Sequence, residues 1–383
     1  MSRPRRPWPG GRLVVAAVVV VVAVLAGGCR KAPEDLTVEV VLDGLEVPWD
    51  VDFLPDGTLL VTERPGRLQA VVDGAPRLVA ELADVTTTGP SGLMGLAVDP
   101  AFATNRAVYV CLSSDLPPGP TRDVRVARLT LDADVTTATD RVDIVTGIHA
   151  TAQSQHSGCQ LAFGPDGHLW IGTGDSRTPT DPQDPTSLAG KVLRVTRDGE
   201  PAAGNPGAPL DPRIYSYGHR NIQGLAFRPS DGEPFAVEHG TACDDEVNHL
   251  VAGGNYGWHP VDPLDAAHYD ESRPMTDLEA FPDAVEAEWS SGCPTIAPSG
   301  GTFLDGPQWA GWDGALAMAV LKDRSLWVWW SDPDGEHLPL AWTALEGEAR
   351  LRAAVQGPDG SLYVTTDQAS PSDRVLRITP AGS

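Results

Sequence analysis

The stretch Val51-Asp52-Phe53-Leu54-Pro55-Asp56-Gly57 decides the fold, because the same phrase returns along the chain. It joins an apolar alternating run, a Pro-Asp-Gly turn and a second alternating run, Thr58 to Thr62. Pro presets φ, Asp caps the turn and Gly takes the positive φ that closes it, so each copy reads as a β-hairpin. Two further clear copies are Leu161 to Gly167 before His168 to Gly172, and Val355 to Gly360 before Ser361 to Thr365. Looser copies are Gly95 to Pro100 before Ala107 to Cys111, Gly224 to Gly232 before Pro234 to Val237, and Gly301 to Gly306 followed by Ala315 to Val320. That makes six, spaced by roughly 45 to 75 residues, which is longer than a compact propeller blade of about 40 to 50. One such sheet cannot bury both its faces, whereas radial packing of several can. The sequence therefore predicts an all-β, six-bladed β-propeller with long inserted loops over residues 38–381. A two-domain β-sandwich of this length would need a linker, and none separates the copies. Thr178 to Ser187, rich in Pro and Asp, reads as an exposed loop insertion.

The N-terminus is of a different kind. Arg3, Arg5, Arg6 and Arg12 precede Leu13 to Leu25, which holds only Val, Ala and Leu, the pattern of an export signal rather than of a full membrane span. Leu25-Ala26-Gly27-Gly28-Cys29 has the form of a lipobox, so residues 1–28 are expected to be removed, Cys29 lipidated and residues 29–37 left as a linker. An ordinary cleaved signal or an uncleaved anchor are the alternatives. Loss of residues 1–28 takes away four arginines and no acids, moving the formal charge from −24 to −28. A chain this acidic is a poor partner for nucleic acid and suits a polar small substrate or a cation. After Cys29 four cysteines remain, Cys111, Cys159, Cys243 and Cys293, with no CxxC spacing to suggest zinc. In an oxidising compartment they allow two disulfides in three connectivities.

Chemistry-bearing residues collect between the repeats. His156 stands directly before the third repeat, on a loop entering a blade, and an imidazole there suits a general base. Tyr217-Gly218-His219-Arg220-Asn221-Ile222-Gln223 offers a cationic fork beside an amide, suited to a quinone or carboxylate. Glu238-His239-Gly240-Thr241-Ala242-Cys243-Asp244-Asp245-Glu246, followed by Gly253-Gly254-Asn255-Tyr256-Gly257-Trp258, can present the carboxylate and carbonyl oxygens that calcium prefers. Thr295, Lys322, Arg350 and Arg352 lie in the C-terminal third, and two arginines two apart on a strand face the same way.

These segments resemble, in order, the quinoprotein sugar dehydrogenases, the soluble glucose/aldose (glucose/sorbosone) family. Val47-Pro48-Trp49-Asp50, Thr62 to Arg67 and Gly92-Leu93-Met94-Gly95-Leu96 add to the likeness. The resemblance implies oxidation of an aldose, or a sorbosone-like sugar, at C1 to the lactone. His156 would be the base, hydride would pass to pyrroloquinoline quinone (PQQ), and calcium with Arg220 would polarise the quinone oxygens. It further implies cofactor contacts from Arg220, Asn221, Gln223, Thr295, Lys322, Arg350, Arg352 and Asp367. The carbonyls of Gly240 and Thr241 would hold the calcium at the cofactor, and Glu246 with the carbonyl of Tyr256 a second, structural calcium. Cys243 and Cys293 then both fall at the cofactor mouth, which makes them the expected disulfide. The electron acceptor is not legible.

Three departures leave the sugar open: Pro90 where the family often carries a glutamine, Gln155 where some relatives have an acid orienting the base, and Cys293 where some have a tryptophan. A calcium-dependent lactonase propeller would need no cationic clamp. A non-catalytic cell-surface propeller, of the hedgehog-interacting kind, would not need His156 or the Arg-Asn pair.

Overall fold

The structure, a computed structural model, describes residues 32–33, 35–116, 122–262, 264–330, 341–368 and 371–381. The expected signal segment and the lipidation site Cys29 lie outside them. Among the described residues the strands form six four-stranded antiparallel sheets, each meandering from an inner to an outer strand. The inner strands are Pro48–Phe53, Leu93–Val98, Gly158–Phe163, Ile222–Phe227, Pro298–Phe303 and Leu351–Gln356. Each packs against the next, and the sixth returns to the first, closing a ring. This is a six-bladed β-propeller, and each repeat phrase spans the turn from the first to the second strand of one blade.

The turns behave as their residues dictate. In the first blade Asp56 Oδ1 accepts the Thr58 N–H at 2.9 Å, Gly57 N–H donates to Leu54 O at 2.8 Å, and Gly57 takes φ 87°. Asp166 with His168 and Asp359 with Ser361 repeat the cap at 3.1 and 3.0 Å. Second strands such as Leu59–Glu63, Ala107–Ser114, Leu169–Thr173 and Leu362–Thr366 are buried at every residue. Their alternation does not mark a wet face, because a neighbouring blade covers each side.

The N-terminal strand Leu36–Leu45 supplies the outermost strand of the sixth blade, pairing Leu36 with Pro380, Val38 with Ile378 and Val40 with Leu376. The sheet therefore begins at Leu36, not residue 38, and Leu36 and Thr37 are strand rather than linker. The loop at 178–187 also differs from expectation. It contains a 3-10 turn, Asp181–Gln183, with Asp181 and Pro182 buried. Lys191, wholly buried, donates to the carbonyls of Pro182 at 3.1 Å, Ala189 at 2.8 Å and Asp181 at 2.5 Å. Burial lowers that amine to about 7. The loop is folded down by an internal cation, not exposed.

Among the described residues two disulfides form. Cys111–Cys159 ties the second blade to the third, and Cys243–Cys293 is the pair expected from the resemblance, with Cα atoms 5.6 and 4.4 Å apart respectively.

Candidate active site

Propeller topology gathers the predicted residues. His156, Arg220, Thr295 and Arg350 each lie just before an inner strand, while Gly240, Lys322 and Asp367 lie just after a second strand. In an antiparallel hairpin those two positions share one end of the sheet, so all face the same mouth. A long excursion between His249 and Trp289 reaches that end through Trp258, Tyr269 and Glu271.

His156 is mostly buried and its Nδ1 meets Asp175 Oδ1 at 2.9 Å. Asp175, fully buried, also accepts from Arg177 N–H at 2.8 Å, Trp258 Nε1 at 2.7 Å and the Tyr269 hydroxyl at 2.5 Å. Burial works to raise the Asp175 carboxyl, but His156, then Arg220 and Tyr269, outweigh it and hold the acid below the usual carboxylate range. An ionised Asp175 fixes Nδ1 as the protonated nitrogen. Nε2 makes no hydrogen bond among the described residues and is left to accept a proton. The orienting acid absent at Gln155, which is exposed, thus comes from the far side of the same hairpin. Gly158 pairs with Thr173, a one-residue bulge before Gln160 having shifted the register, and two steps further on His156 faces Asp175.

Arg220, Asn221 and Gln223 are all buried, and buried Glu238 explains their order. One oxygen of Glu238 accepts both the Arg220 and Asn221 backbone N–H groups; the other takes His219 Nδ1 at 2.9 Å. Asn221 Oδ1 accepts Gly158 N–H and Gln223 Nε2, both at 3.1 Å, joining this run to the loop that carries His156. Arg220 donates to His239 O at 3.1 Å and Glu271 at 2.9 Å, while its buried Nε has no partner. His239 also carries a partnerless buried Nε2. Burial pushes it down to about 4; Asp245 opposes this, while Arg220, Arg352 and His156 add to it. His156, Arg220 and Arg352 are thus all near enough to His239 to act on its charge.

The loop after Glu238 is organised by Asp245, which the sequence reading passed over within an acidic triplet. Wholly buried, it accepts Gly240 N–H at 2.9 Å, Thr295 Oγ1 at 2.8 Å, Ile296 N–H at 2.7 Å and Ala297 N–H at 3.0 Å. Thr295's hydroxyl therefore faces Asp245, and this bond latches two loops. A Cβ on Gly240 would sit 2.2 Å from Cys243 O, so the loop requires glycine there. No donor among the described residues reaches the carbonyls of Gly240, Thr241 or Tyr256, which leaves those oxygens available to a cation. Glu246 stands across the ladder from Glu238, and burial with that neighbour pushes it up to about 8. Beside it Asn248 Oδ1 is buried without a partner. An oxygen-rich, under-neutralised pocket of this kind fits calcium. Among the described residues no group of three or more His, Cys, Asp or Glu stands close enough together to hold a metal ion.

Arg352 is buried over the Trp49 ring at 3.9 Å and pairs with Asp367. Arg350 Nε donates to the Asp367 carbonyl at 3.1 Å, so both arginines meet Asp367. Arg350 and Lys322 are exposed and have no carboxylate partner among the described residues. Arg64 was missed as a site cation. Its guanidinium donates to Ser91 O at 3.1 Å and Gly89 O at 2.9 Å, and its charge reaches Arg352 and Asp367. Cations without a carboxylate partner are uncommon in a chain of charge −24, and an anion is the kind of ligand they suit.

An Asp-held histidine, an arginine fork and carbonyl-lined loops thus share one mouth of the propeller. The profile described as Glucose / Sorbosone dehydrogenase matches residues 45–377, and the chain belongs to that family. It is similar to a structure of an oxidoreductase (glucose dehydrogenase) from Thermus thermophilus, 38% identical, TM-score 0.76, covering 90% of this chain and 99% of that one. The PQQ-bound form of aldose sugar dehydrogenase from Streptomyces coelicolor is 30% identical, TM-score 0.73, covering 91% and 99%. Aldose sugar dehydrogenase YliI of Escherichia coli is 29% identical over 93% of this chain and 96% of its own length.

Proposed function

We propose that the chain oxidises an aldose or related sugar at C1 to the lactone, with bound PQQ and calcium. The observation that carries this reading is an Asp-held histidine whose Nε2 has no partner among the described residues, set at the same mouth as Lys322 and Arg350, exposed cations without a carboxylate partner among those residues. PQQ, when bound, supplies the hydride acceptor, and calcium beside it supplies Lewis acidity. Arg220, Asn221, Arg350, Arg352 and Lys322 would hold its carboxylates and quinone oxygens, and the carbonyls of Gly240 and Thr241 the calcium. His156 Nε2 takes the proton of the C1 hydroxyl, and Asp175 stabilises the imidazolium that results. Glu246, with the Tyr256 carbonyl, would hold a structural calcium that relieves its repulsion with Glu238.

Outside the described residues, the proposed lipidation of Cys29 would tether this acidic propeller to an extracytoplasmic membrane face. The test of function is reconstitution of the mature chain with PQQ and calcium, followed by dye reduction across a panel of aldoses. Sugar-dependent reduction that needs both additions is expected; none with any sugar at any calcium concentration would refute the reading.

A further inference from the structure

The excursion that reaches the mouth carries two residues that touch the machinery without belonging to it. Val261 pairs with Tyr269, and Asp270 N–H donates to Pro260 O at 2.8 Å, so this arm doubles back and delivers Tyr269 and Glu271 together. The Tyr269 hydroxyl donates to Asp175 Oδ2 at 2.5 Å and lies 3.3 Å from His156 Nδ1. Its ring stands edge-on to His156 and Trp258, with centroids 6.0 and 6.1 Å away, and the Arg177 guanidinium sits 4.9 Å over it. Glu271 then bridges two arginines, Arg177 and Arg220, each at 2.9 Å.

We propose that Tyr269 and Glu271 are positioning residues of the reaction: Tyr269 locks Asp175 against His156, and Glu271 locks the Arg220 guanidinium. The inference rests on the sugar dehydrogenase reading. Asp175 offers Oδ1 to the imidazole, and the phenol holds Oδ2 together with Trp258 Nε1, so the carboxylate cannot rotate and carry the base off line. Glu271 acts likewise on Arg220. Its own geometry is fixed from the other side by Arg177, which stacks on Tyr269, so base and fork are set by one piece of chain. Preorganisation of this kind is felt in the chemical step rather than in ground-state sugar binding.

In the reconstituted holoenzyme, Tyr269→Phe should lower kcat by roughly tenfold, leave the sugar KM within about twofold and raise the isotope effect with C1-deuterated sugar. Glu271→Gln should lower kcat several-fold with KM again unmoved, and Glu271→Asp should restore part of the loss. In the chain without cofactor, 15N spectra of the histidine rings should show the Nδ1–H signal of His156 weakened and exchange-broadened in Tyr269→Phe. That spectrum is independent of turnover, so it tests the hydrogen bond even if the wild-type chain oxidises no sugar. A rise in KM with kcat intact would mean that the arm grips the sugar instead. Either that result or kinetics and spectra unchanged in both variants would overturn the proposal.

Discussion

Asp175 holds four donors on two oxygens, from His156, Arg177, Trp258 and Tyr269. Asparagine in its place cannot accept all four and would offer Nδ1–H a neutral partner or a competing donor. Asp175→Asn should reduce kcat by roughly 10³ to 10⁴ while cofactor affinity and fold persist, as for acids that set a catalytic tautomer; steady-state kinetics beside a PQQ titration would show it. The residue was not legible because nothing in Thr173-Gly174-Asp175 announces a partner 19 positions earlier, and a single bulge sets their register. His156 and the Arg-Asn pair were legible because their neighbours in sequence carry the pattern. Asp50 makes a different prediction. Burial pushes it up to about 7 against the donors Leu96 N–H and Val51 N–H, so it keeps its proton in mild acid. A carboxyl raised on folding contributes stability that is full below its unfolded value and is lost as pH rises through about 7. Carboxyl 13C titration should place the Asp50 midpoint near 7, and a midpoint near 4 would contradict its burial as the cause.

At the level of elements, the six turns were readable because Pro-Asp-Gly chemistry is local, whereas the loops that finish the site are held by contacts between distant segments. The segment 240–245 and the segment 290–297 are joined by Asp245, by Asp244 N–H to Gly292 O at 2.8 Å, by Thr295 N–H to Ala242 O at 2.8 Å and by the Cys243–Cys293 disulfide. Only the disulfide was anticipated, through family resemblance. Because the bonds flank the carbonyls of Gly240 and Thr241, Cys243→Ser/Cys293→Ser should cost about 2–4 kcal/mol of stability. It should also weaken calcium-dependent PQQ binding more than it weakens kcat at saturation. Denaturant unfolding and a PQQ titration at fixed calcium would measure the two. The loop at 178–187 was misread for the same reason: its polar composition gives no sign that Lys191 will fold beneath it, offering its charge to three carbonyls.

For the whole molecule, the ring is closed by the strand Leu36–Leu45, which lies far in sequence from the sixth blade it completes. That pairing was not legible, since the six repeat phrases mark only first and second strands. Truncation through Leu45 should expose the edge of Asp373–Pro380 and turn one cooperative unfolding transition into a broader one at lower temperature, by calorimetry. An intact midpoint would show that the sixth blade closes without it. The scaffold brings His156, Arg220, Asp245 and Arg352 to one mouth, and the proposal for the chain is that this mouth oxidises sugars. The most direct measurement is anaerobic single turnover: mixing reconstituted wild type and His156→Ala with an aldose and following the absorbance of the bound cofactor. Wild type should show rapid sugar-dependent reduction, and His156→Ala should retain the cofactor yet reduce it at least about a hundredfold more slowly. Equal rates in the two proteins would contradict the account.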